Sequence, residues 1–353
     1  MNILNNNGYF AAANSQAGFV SFFDKIFSPS ELNFLYIIKG GSGTGKSRLM
    51  KQIGEAAAAA GDTPEYFYCS SDPSSLDGIL LKDRKVAVID GTAPHVAEPR
   101  LPGCFDEIIN LSIFWNGDVL KEHKNDISNL CAEKNRLYHR AYTYLAAAGN
   151  LNRAADLLCM PAVKQEKLDN WARRFASRFV SDGRGEEKTR LTSAISYMGV
   201  VDTGIFYDKA EKHYVIKDSV YLASNVLAAL RNALNQRGFS CEVSFDPLDT
   251  SKVNAIYITD SNTSVTTADD RSAIDPDDSV INTERFFDRS IYRLLRTQTR
   301  FLHKCSETLT EYAVETMKEI FALHSEVEKV YISAMDFKAK ERYTDKLIKK
   351  ILY

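Results

Sequence analysis

The sequence predicts an α/β protein built from two tandem parallel-sheet domains, each followed by a helical appendage. Three observations predict this class. Short apolar strands alternate with helical segments, a glycine-rich loop stands between a strand and a helix, and several segments recur in the same order about 175 residues later. The 353 residues also exceed what one hydrophobic core normally accommodates, so two domains are expected.

Residues 40–47, GGSGTGKS, fit the phosphate-loop pattern G-x-x-x-x-G-K-[ST]. The apolar run at 34–38 predicts a buried strand before the loop, and apolar residues at helical spacing predict a helix after it, which ends at Gly61. Glycines let backbone N–H groups surround an anion, and the helix N-terminus adds a positive dipole end. The sequence therefore predicts a P-loop NTPase-like domain that binds a nucleoside triphosphate.

Each residue of this loop has an expected role. Lys46 is expected to reach the β- and γ-phosphates, and the Ser47 hydroxyl is expected to take one position on Mg²⁺. Arg48 and Arg100 could neutralise charge in a transition state, or be ordinary solvated arginines. ATP and Mg²⁺ are the expected cofactors. The predicted nucleotide-binding residues are Gly40, Gly41, Ser42, Gly43, Thr44, Gly45, Lys46, Ser47 and Arg48.

Two aspartates complete the predicted catalytic set with Lys46. Asp90 ends the apolar strand at 86–89 and is expected to hold the magnesium hydration shell with Ser47, the alternative being a plain Asp-Gly turn. Asp72 follows the strand at 66–69 and could orient a water or accept a proton, the alternative being an Asp-Pro turn. Gly91 stands where many ATP hydrolases have a water-activating glutamate, so slow turnover is expected.

His95 lies shortly after Asp90 and leaves two alternatives open. Its side chain could face the γ-phosphate, or it could lie on the surface.

The domain boundaries follow from composition. The first domain is predicted over 1–180, with a helical extension at 116–180, and the polar stretch 181–188 is the predicted linker. The second domain is predicted over 189–353, with a helical extension at 283–353. The acidic segment 266–278 is predicted to be a loop.

The repeat supports this division. Segment 10–20 aligns with 191–201, 36–39 with 214–217, and 108–110 with 280–282. Asp72-Pro73 aligns with Asp246-Pro247, the strand that ends at Asp90 with 255–260, and Met160 with Met335. The loop is not kept, because residues 218–225 contain neither glycine nor lysine and Asp218 would repel a phosphate. We therefore expect one nucleotide site, in the first half.

The stretches IIKGGSGTGKSRLMKQI, YCSSDPSSLDG, VIDGTAPH and SAISYMGVV resemble an uncharacterised bacterial family of tandem-duplicated P-loop ATPases. The resemblance spans nearly the whole chain, and it is most specific in CSSDPSSLDG and DGTAPH. It implies ATP binding at residues 40–47. Both halves of that family commonly carry the glycine loop, and this sequence departs from the pattern in its second half.

Three functions compete on this evidence. The first is slow Mg²⁺-dependent ATP hydrolysis that drives a conformational change, the second is a small-molecule or nucleotide kinase, and the third is an ATP-sensing scaffold without significant turnover. A protein partner could bind the second half or the helical extensions. The formal charge of −2 makes nucleic acid an unexpected partner. The N-terminus lacks a basic leader, no apolar run would span a membrane, and the six cysteines show no metal or paired spacing, so a cytoplasmic protein is expected.

Overall fold

The computed structural model describes residues 8–181, 183–268 and 274–353. In these residues the protein is α/β, with two mixed six-stranded sheets covered by helices. Asp182 of the predicted linker and residues 269–273 of the predicted acidic loop lie outside the described part.

The first sheet has the strand order β1-β5-β6-β7-β4-β8. Strand β4 pairs in parallel with β7 and β8, whereas β6 runs antiparallel to both β5 and β7. The prediction of an all-parallel sheet is therefore wrong at β6. The elements are β1 (Gly8–Phe10), β2 (Ala12–Ser15), β3 (Gly18–Ser21), α1 (Phe23–Ile26), β4 (Phe34–Lys39), α2 (Lys46–Ala59), β5 (Pro64–Tyr68), β6 (Leu76–Leu81), β7 (Val86–Asp90) and β8 (Asp106–Asn110).

Local sequence explains the central part of this sheet. Strand β4 is buried along most of its length, as expected for a strand with neighbours on both sides. Helix α2 buries Leu49, Met50, Ile53 and Ala57, which lie on one face at helical spacing. The chain leaves α2 through Gly61, which has a φ of +92°. The strand, loop and helix predicted around the glycines are present.

A helical segment follows, and then the second sheet, whose order is β16-β12-β15-β14-β13-β9. The helices are α3 (Gly117–Glu122), α4 (Lys124–Cys159) and α5 (Gln165–Ala176). The remaining strands and helices are β9 (Glu187–Thr189), β10 (Ser193–Ser196), β11 (Gly199–Asp202), α6 (Ile205–Asp208), β12 (Lys212–Lys217), α7 (Ala223–Gln236), β13 (Cys241–Phe245), β14 (Val253–Ile258), β15 (Thr263–Ala268), β16 (Ser279–Asn282), α8 (Arg289–Ser333) and α9 (Phe337–Leu352). Strands β10 and β11 form a separate two-stranded sheet, as β2 and β3 do.

The two sheets have the same topology. Strand β9 corresponds to β1, β13 to β5, β14 to β6, β15 to β7, β12 to β4 and β16 to β8. The predicted match between the strand ending at Asp90 and residues 255–260 is wrong. Residues 255–258 lie in β14, which runs antiparallel to both its neighbours as β6 does, and residues 259–260 lie in the 3-10 turn after it. The counterpart of β7 is β15. Register places Thr267 opposite Ile216, as Asp90 lies opposite Ile38.

Helices of each half pack on the sheet of the other half. Helix α5 packs against α7, and Phe175 makes an edge contact with Tyr214 of β12, with ring centroids 4.7 Å apart. Helix α9 packs against α2, and Lys350 bonds Glu107 of β8 at 2.6 Å. The predicted linker at 181–188 separates the two halves along the sequence. In space, helices from one side of that linker pack on the sheet from the other side.

The two long helices, α4 and α8, form an antiparallel pair that joins the halves. Arg140 bonds Glu319 at 2.7 Å in the middle of the pair, and Cys159 Sγ lies 3.3 Å from Thr299 Oγ1 at one end. The same backbone hydrogen bond between the two halves occurs at each end of this helix pair. The amide of Asn116 donates to the Ala334 carbonyl at 2.8 Å, and the amide of Asp288 donates to the Ala162 carbonyl at 2.7 Å.

The backbone contacts at the two ends of the helix pair show which residues of the two halves correspond, and they correct the predicted match of Met160 with Met335. Trp115 bridges to Met335, and Phe287 bridges to Val163 in the same way. Met335 therefore corresponds to Val163, and the predicted match with Met160 is three residues out of register.

In the described part of the chain, no helix has the combination of length and apolar character that crossing a bilayer would require.

Candidate functional site

The glycine loop connects β4 to α2 at the centre of the first sheet. Gly43 has a φ of +71° and Gly45 a φ of +80°, a region that non-glycine residues rarely adopt. Gly45 is the N-cap of α2, so the loop ends at the positive end of the helix dipole. A glycine loop that ends at a helix N-terminus has the backbone features from which anion sites are built.

Lys46 and Asp90 meet at the floor of this loop. Lys46 Nζ donates to the carbonyl oxygens of Gly40 and Gly41, both at 2.9 Å, and lies 3.5 Å from Asp90 Oδ2. The two residues come together because β4 and β7 are parallel neighbours whose carboxyl ends share one edge. The side chains are mostly buried, with 14% and 12% of their surface exposed, so the ion pair is only partly screened.

Two oxygens near Lys46 could serve a divalent cation. Asp90 Oδ1 accepts bonds from Thr92 N at 2.9 Å and Thr92 Oγ1 at 2.6 Å, which fixes the carboxylate. Ser47 Oγ accepts a bond from Leu76 N at 3.0 Å. Within the described ranges no three acidic, histidine or cysteine side chains converge as a metal site. The Ser47 hydroxyl and the Asp90 carboxylate are oxygen ligands of the kind that suits Mg²⁺ when phosphate supplies further ligands.

Asp72 caps a turn. Its Oδ1 accepts bonds from the amide of Ser74 at 3.1 Å and from the Ser74 hydroxyl at 2.6 Å. Asp249 makes the same two bonds to Ser251, at 3.2 and 2.6 Å. The aligned partner of Asp72 is therefore Asp249 and not Asp246.

His95 is buried, so the surface alternative is wrong. Its Nε2 lies 2.9 Å from Asp77 Oδ2, and its ring is packed between Phe19 and Phe23. Burial lowers the pKa of His95, but the charge of Asp77, the hydrogen bond to it and the charge of Asp90 together outweigh burial and hold the pKa above its usual range.

Asp77 belongs to the same edge of the sheet as Asp90, since each stands one residue beyond the antiparallel pair formed by Gly78 and Ile89. Sequence reasoning missed it as a site residue. A carboxylate inside the otherwise apolar run 76–81 was the available signal.

Helix α8 of the second half lies on the loop. Glu328 Oε1 accepts a hydrogen bond from the amide of Gly43 at 3.2 Å. His324 Nε2 lies 3.7 Å from the same carboxylate oxygen, and Lys134 Nζ lies 3.4 Å from His324 Nδ1. Burial, with the nearby charge of Lys134, lowers the pKa of His324. A carboxylate of the second half therefore interacts with one backbone amide of the glycine loop.

Aromatic side chains from both halves cover the outer face of the loop. A Cβ added to Gly41 would lie 3.2 Å from Trp115 and 3.5 Å from Tyr331, whose rings have centroids 5.2 Å apart. A Cβ added to Gly43 would lie 2.9 Å from the Glu328 backbone oxygen. The glycines are thus needed for packing against α8 as well as for their φ angles.

The equivalent place in the second half is filled by the protein itself. The Asp218 carboxylate accepts bonds from the amides of Val220, Leu222 and Ala223 at 3.2, 3.0 and 2.8 Å. Thr283 Oγ1 donates a fourth bond at 2.9 Å. Asp218 thus satisfies the N–H groups that would otherwise face an anion.

The two candidate arginines make no ion pair with the carboxylate of Asp90 beside Lys46 in the described part of the chain. The Arg48 side chain is 73% exposed, and its nearest carboxylate is Glu341 at 4.0 Å. Arg100 pairs with Asp24 on α1.

Comparison of the chain with models of known protein families, with curated proteins and with solved structures gives no match.

Proposed function

We propose that the chain is an ATP-binding P-loop NTPase that hydrolyses Mg-ATP slowly at one site in the first half. The observation that carries the proposal is the arrangement of Lys46, held by the Gly40 and Gly41 carbonyls, 3.5 Å from Asp90 at the start of α2. The proposal includes membership in the tandem P-loop ATPase family that the motifs resemble.

The chemistry rests on charge neutralisation. Lys46 exchanges its two carbonyl partners for the β- and γ-phosphates, and the loop amides and helix dipole bind the remaining oxygens. Ser47 and Asp90 are the residues that would hold Mg²⁺, and the ion would neutralise phosphate charge when bound. Asp90 is suited to this role because Thr92 fixes one of its oxygens and leaves the other facing the loop.

Two features support slow turnover and a single site. Gly91 follows Asp90, so the strand end carries no glutamate to activate water. In the described part of the second half, the Asp218 carboxylate occupies the amides at the start of α7, and Thr267 stands at the register position that Asp90 has in the first half.

A conformational coupling is part of the proposal. Glu328 bonds the loop amide of Gly43, and it lies on α8, which packs along α4 and connects to the second sheet. Phosphate and Glu328 cannot both accept from the same amide at full strength. Nucleotide binding is therefore expected to change how α8 contacts the first half.

The test measures free phosphate and ADP after incubation with Mg-ATP. We expect slow phosphate release by the wild type, and loss of ATP binding and turnover in Lys46→Ala. Lys349→Ala, an exposed lysine on α9, is the matched control and is expected to behave as the wild type. Normal ATP binding by Lys46→Ala would refute the proposal.

The same assay separates the competing functions. ADP formed only when a mixture of cellular metabolites is added would indicate a kinase, and tight ATP binding without any turnover would indicate an ATP-sensing scaffold. We place the activity in the cytoplasm, consistent with the six cysteines, all of which lie in the described ranges as free thiols.

A further inference from the structure

Lys340 is a buried lysine beside the glycine loop. It belongs to α9, the helix of the second half that packs on α2 of the first, and only 1% of its surface is exposed. A Cβ added to Gly45 would lie 3.4 Å from Lys340 Nζ and 3.6 Å from Cε. The ammonium group therefore lies beside the last glycine before Lys46, in the space that a side chain at that position would approach.

This ammonium has no hydrogen-bonded or ion-paired partner in the described part of the chain. The adjacent carboxylate of Glu341 accepts a bond from Gln52 Nε2 at 2.7 Å. Burial lowers the pKa of Lys340, the charge of Glu341 opposes this shift and the charge of Arg48 adds to it, and the pKa stays below its usual range.

The surroundings make the unpaired charge more costly. The Lys340 side chain, on α9, lies near the N-terminal end of α2, where the helix dipole is positive. A second cation, Lys46, is the first residue of α2. An isolated buried cation is normally paired or bound to a ligand of opposite charge. The position therefore favours an anionic ligand between the loop and α9.

We propose that Lys340 supplies a second ammonium group to the phosphate chain of the nucleotide, so that a helix of the second half completes the site. This inference rests on the proposed nucleotide function. It assigns α9 a direct contact with the ligand, in addition to the contact between α8 and the loop. The second half is then needed for nucleotide binding, although Asp218 occupies the amides at its own counterpart of the glycine loop.

A purely structural alternative is that the four-carbon stem of Lys340 packs on α2 and the charge has no use. Methionine separates the two alternatives because it keeps the length and apolar character of the stem and removes the charge. If the charge serves a ligand, Lys340→Met should weaken nucleotide binding. It should also stabilise the protein without nucleotide, since a buried unpaired charge is removed.

The experiment measures Mg-ATP affinity by calorimetry on the full chain, together with thermal unfolding without nucleotide. We expect Lys340→Met to bind ATP about 10- to 100-fold more weakly and to unfold at a higher temperature than the wild type. Lys340→Arg, which keeps the charge, should bind more tightly than Lys340→Met. The control Lys338→Met changes an exposed lysine of the same helix and should leave both quantities unchanged.

The outcomes distinguish this inference from the proposed function. If wild type and Lys340→Met bind Mg-ATP equally while Lys46→Ala does not bind, Lys340 has no role at the phosphate and the NTPase proposal stands. If the wild type itself binds no Mg-ATP, both are refuted. Should Lys340→Met unfold early, Lys340→Gln takes its place in the comparison, and equal Mg-ATP affinities of Lys340→Gln and the charge-retaining Lys340→Arg would refute a role for the charge.

Discussion

The side chain of Glu328 accepts a hydrogen bond from the backbone amide of Gly43, although 285 residues separate them in the chain. The second half contains a related arrangement, in which Asp218 accepts three amide bonds at the N-terminus of α7. In both halves a carboxylate of the protein meets amides that would suit an anion. The difference is that Asp218 is built into its own loop, whereas Glu328 comes from the other half.

The first prediction concerns Glu328 as a competitor of phosphate. Glu328→Ala should bind Mg-ATP about 5- to 20-fold more tightly than the wild type, because the Gly43 amide and the space beside it become available. Glu328→Gln should lie between the two, since its amide oxygen can still accept but carries no charge. Equilibrium titration with ATP measures the effect.

The control is Glu326→Gln, which removes a charge from the same helix at an exposed residue paired only with Lys329. Equal affinities for wild type and Glu328→Ala would show that the carboxylate does not compete with nucleotide.

The second prediction concerns Asp218, whose carboxylate accepts the bonds from the backbone amides at the start of α7. Asp218→Ala should lower the free energy of unfolding by about 2 to 3 kcal/mol, since several buried amides and the Thr283 hydroxyl lose their acceptor. It should not create a second ATP site, because the loop still lacks a lysine. Chemical denaturation and the stoichiometry of ATP binding measure the two effects. Asp208→Ala is a suitable control on helix α6, and a stoichiometry of two for Asp218→Ala would contradict the expectation.

The parts of the fold and site that depend on local sequence were predictable. Residues 40–47 specify their own turn and helix start, and an aspartate at the end of a neighbouring parallel strand must lie near Lys46, as Asp90 does. The hairpin alignment is also confirmed, because β10 and β11 repeat β2 and β3, with Ser196 bonding Gly199 as Ser15 bonds Gly18.

Contacts between the halves were not predictable in the same way. Glu328, His324 and Lys340 reach the loop only because α8 and α9 cross to the other sheet, and no local pattern encodes that exchange. Strand β6 was missed because Asp77-Gly78 looks like a turn, although the strand is buried throughout. The errors at Asp246 and at 255–260 have one cause. Residue identity was matched without knowledge of strand pairing, which instead places Asp249 and β15 in the corresponding positions.

The third prediction concerns acid stability. His303 stacks on Tyr221 with ring centroids 3.5 Å apart, and burial, with the nearby charge of Lys252, lowers its pKa to about 4 from 6.5. The unfolded chain therefore binds more protons between these values, so the stabilising contribution is complete above pH 6.5 and is lost as the pH falls towards 4. The loss should be about 2 to 3 kcal/mol.

Urea denaturation at several pH values measures this dependence. His303→Gln should flatten the stability profile between pH 6.5 and 4, because a glutamine does not titrate. The control His139→Gln, at an exposed position of α4, should keep the wild-type profile. An unchanged profile in His303→Gln would assign the acid sensitivity to another group.

The fourth prediction separates the two candidate aspartates. Asp90→Asn should reduce ATP turnover about 100-fold, since it removes the carboxylate beside Lys46 while preserving shape and the bonds from Thr92. Asp72→Asn should change turnover less than about threefold, because its observed role is to cap the turn at Ser74, and an asparagine oxygen can still accept those bonds. Steady-state phosphate release at saturating Mg-ATP measures both variants.

Asp249→Asn provides the matched control for Asp72→Asn, since it alters the same turn in the half that lacks a nucleotide site. One contrary result would be that Asp72→Asn loses turnover as strongly as Asp90→Asn while Asp249→Asn keeps it. That result would mean that Asp72 acts on the substrate and that the turn serves to position its carboxylate. Equal, small effects of the Asp72 and Asp249 variants would instead mean that the pair was retained for the same structural reason in both halves. In that case the reacting groups would be confined to the edge formed by β4 and β7.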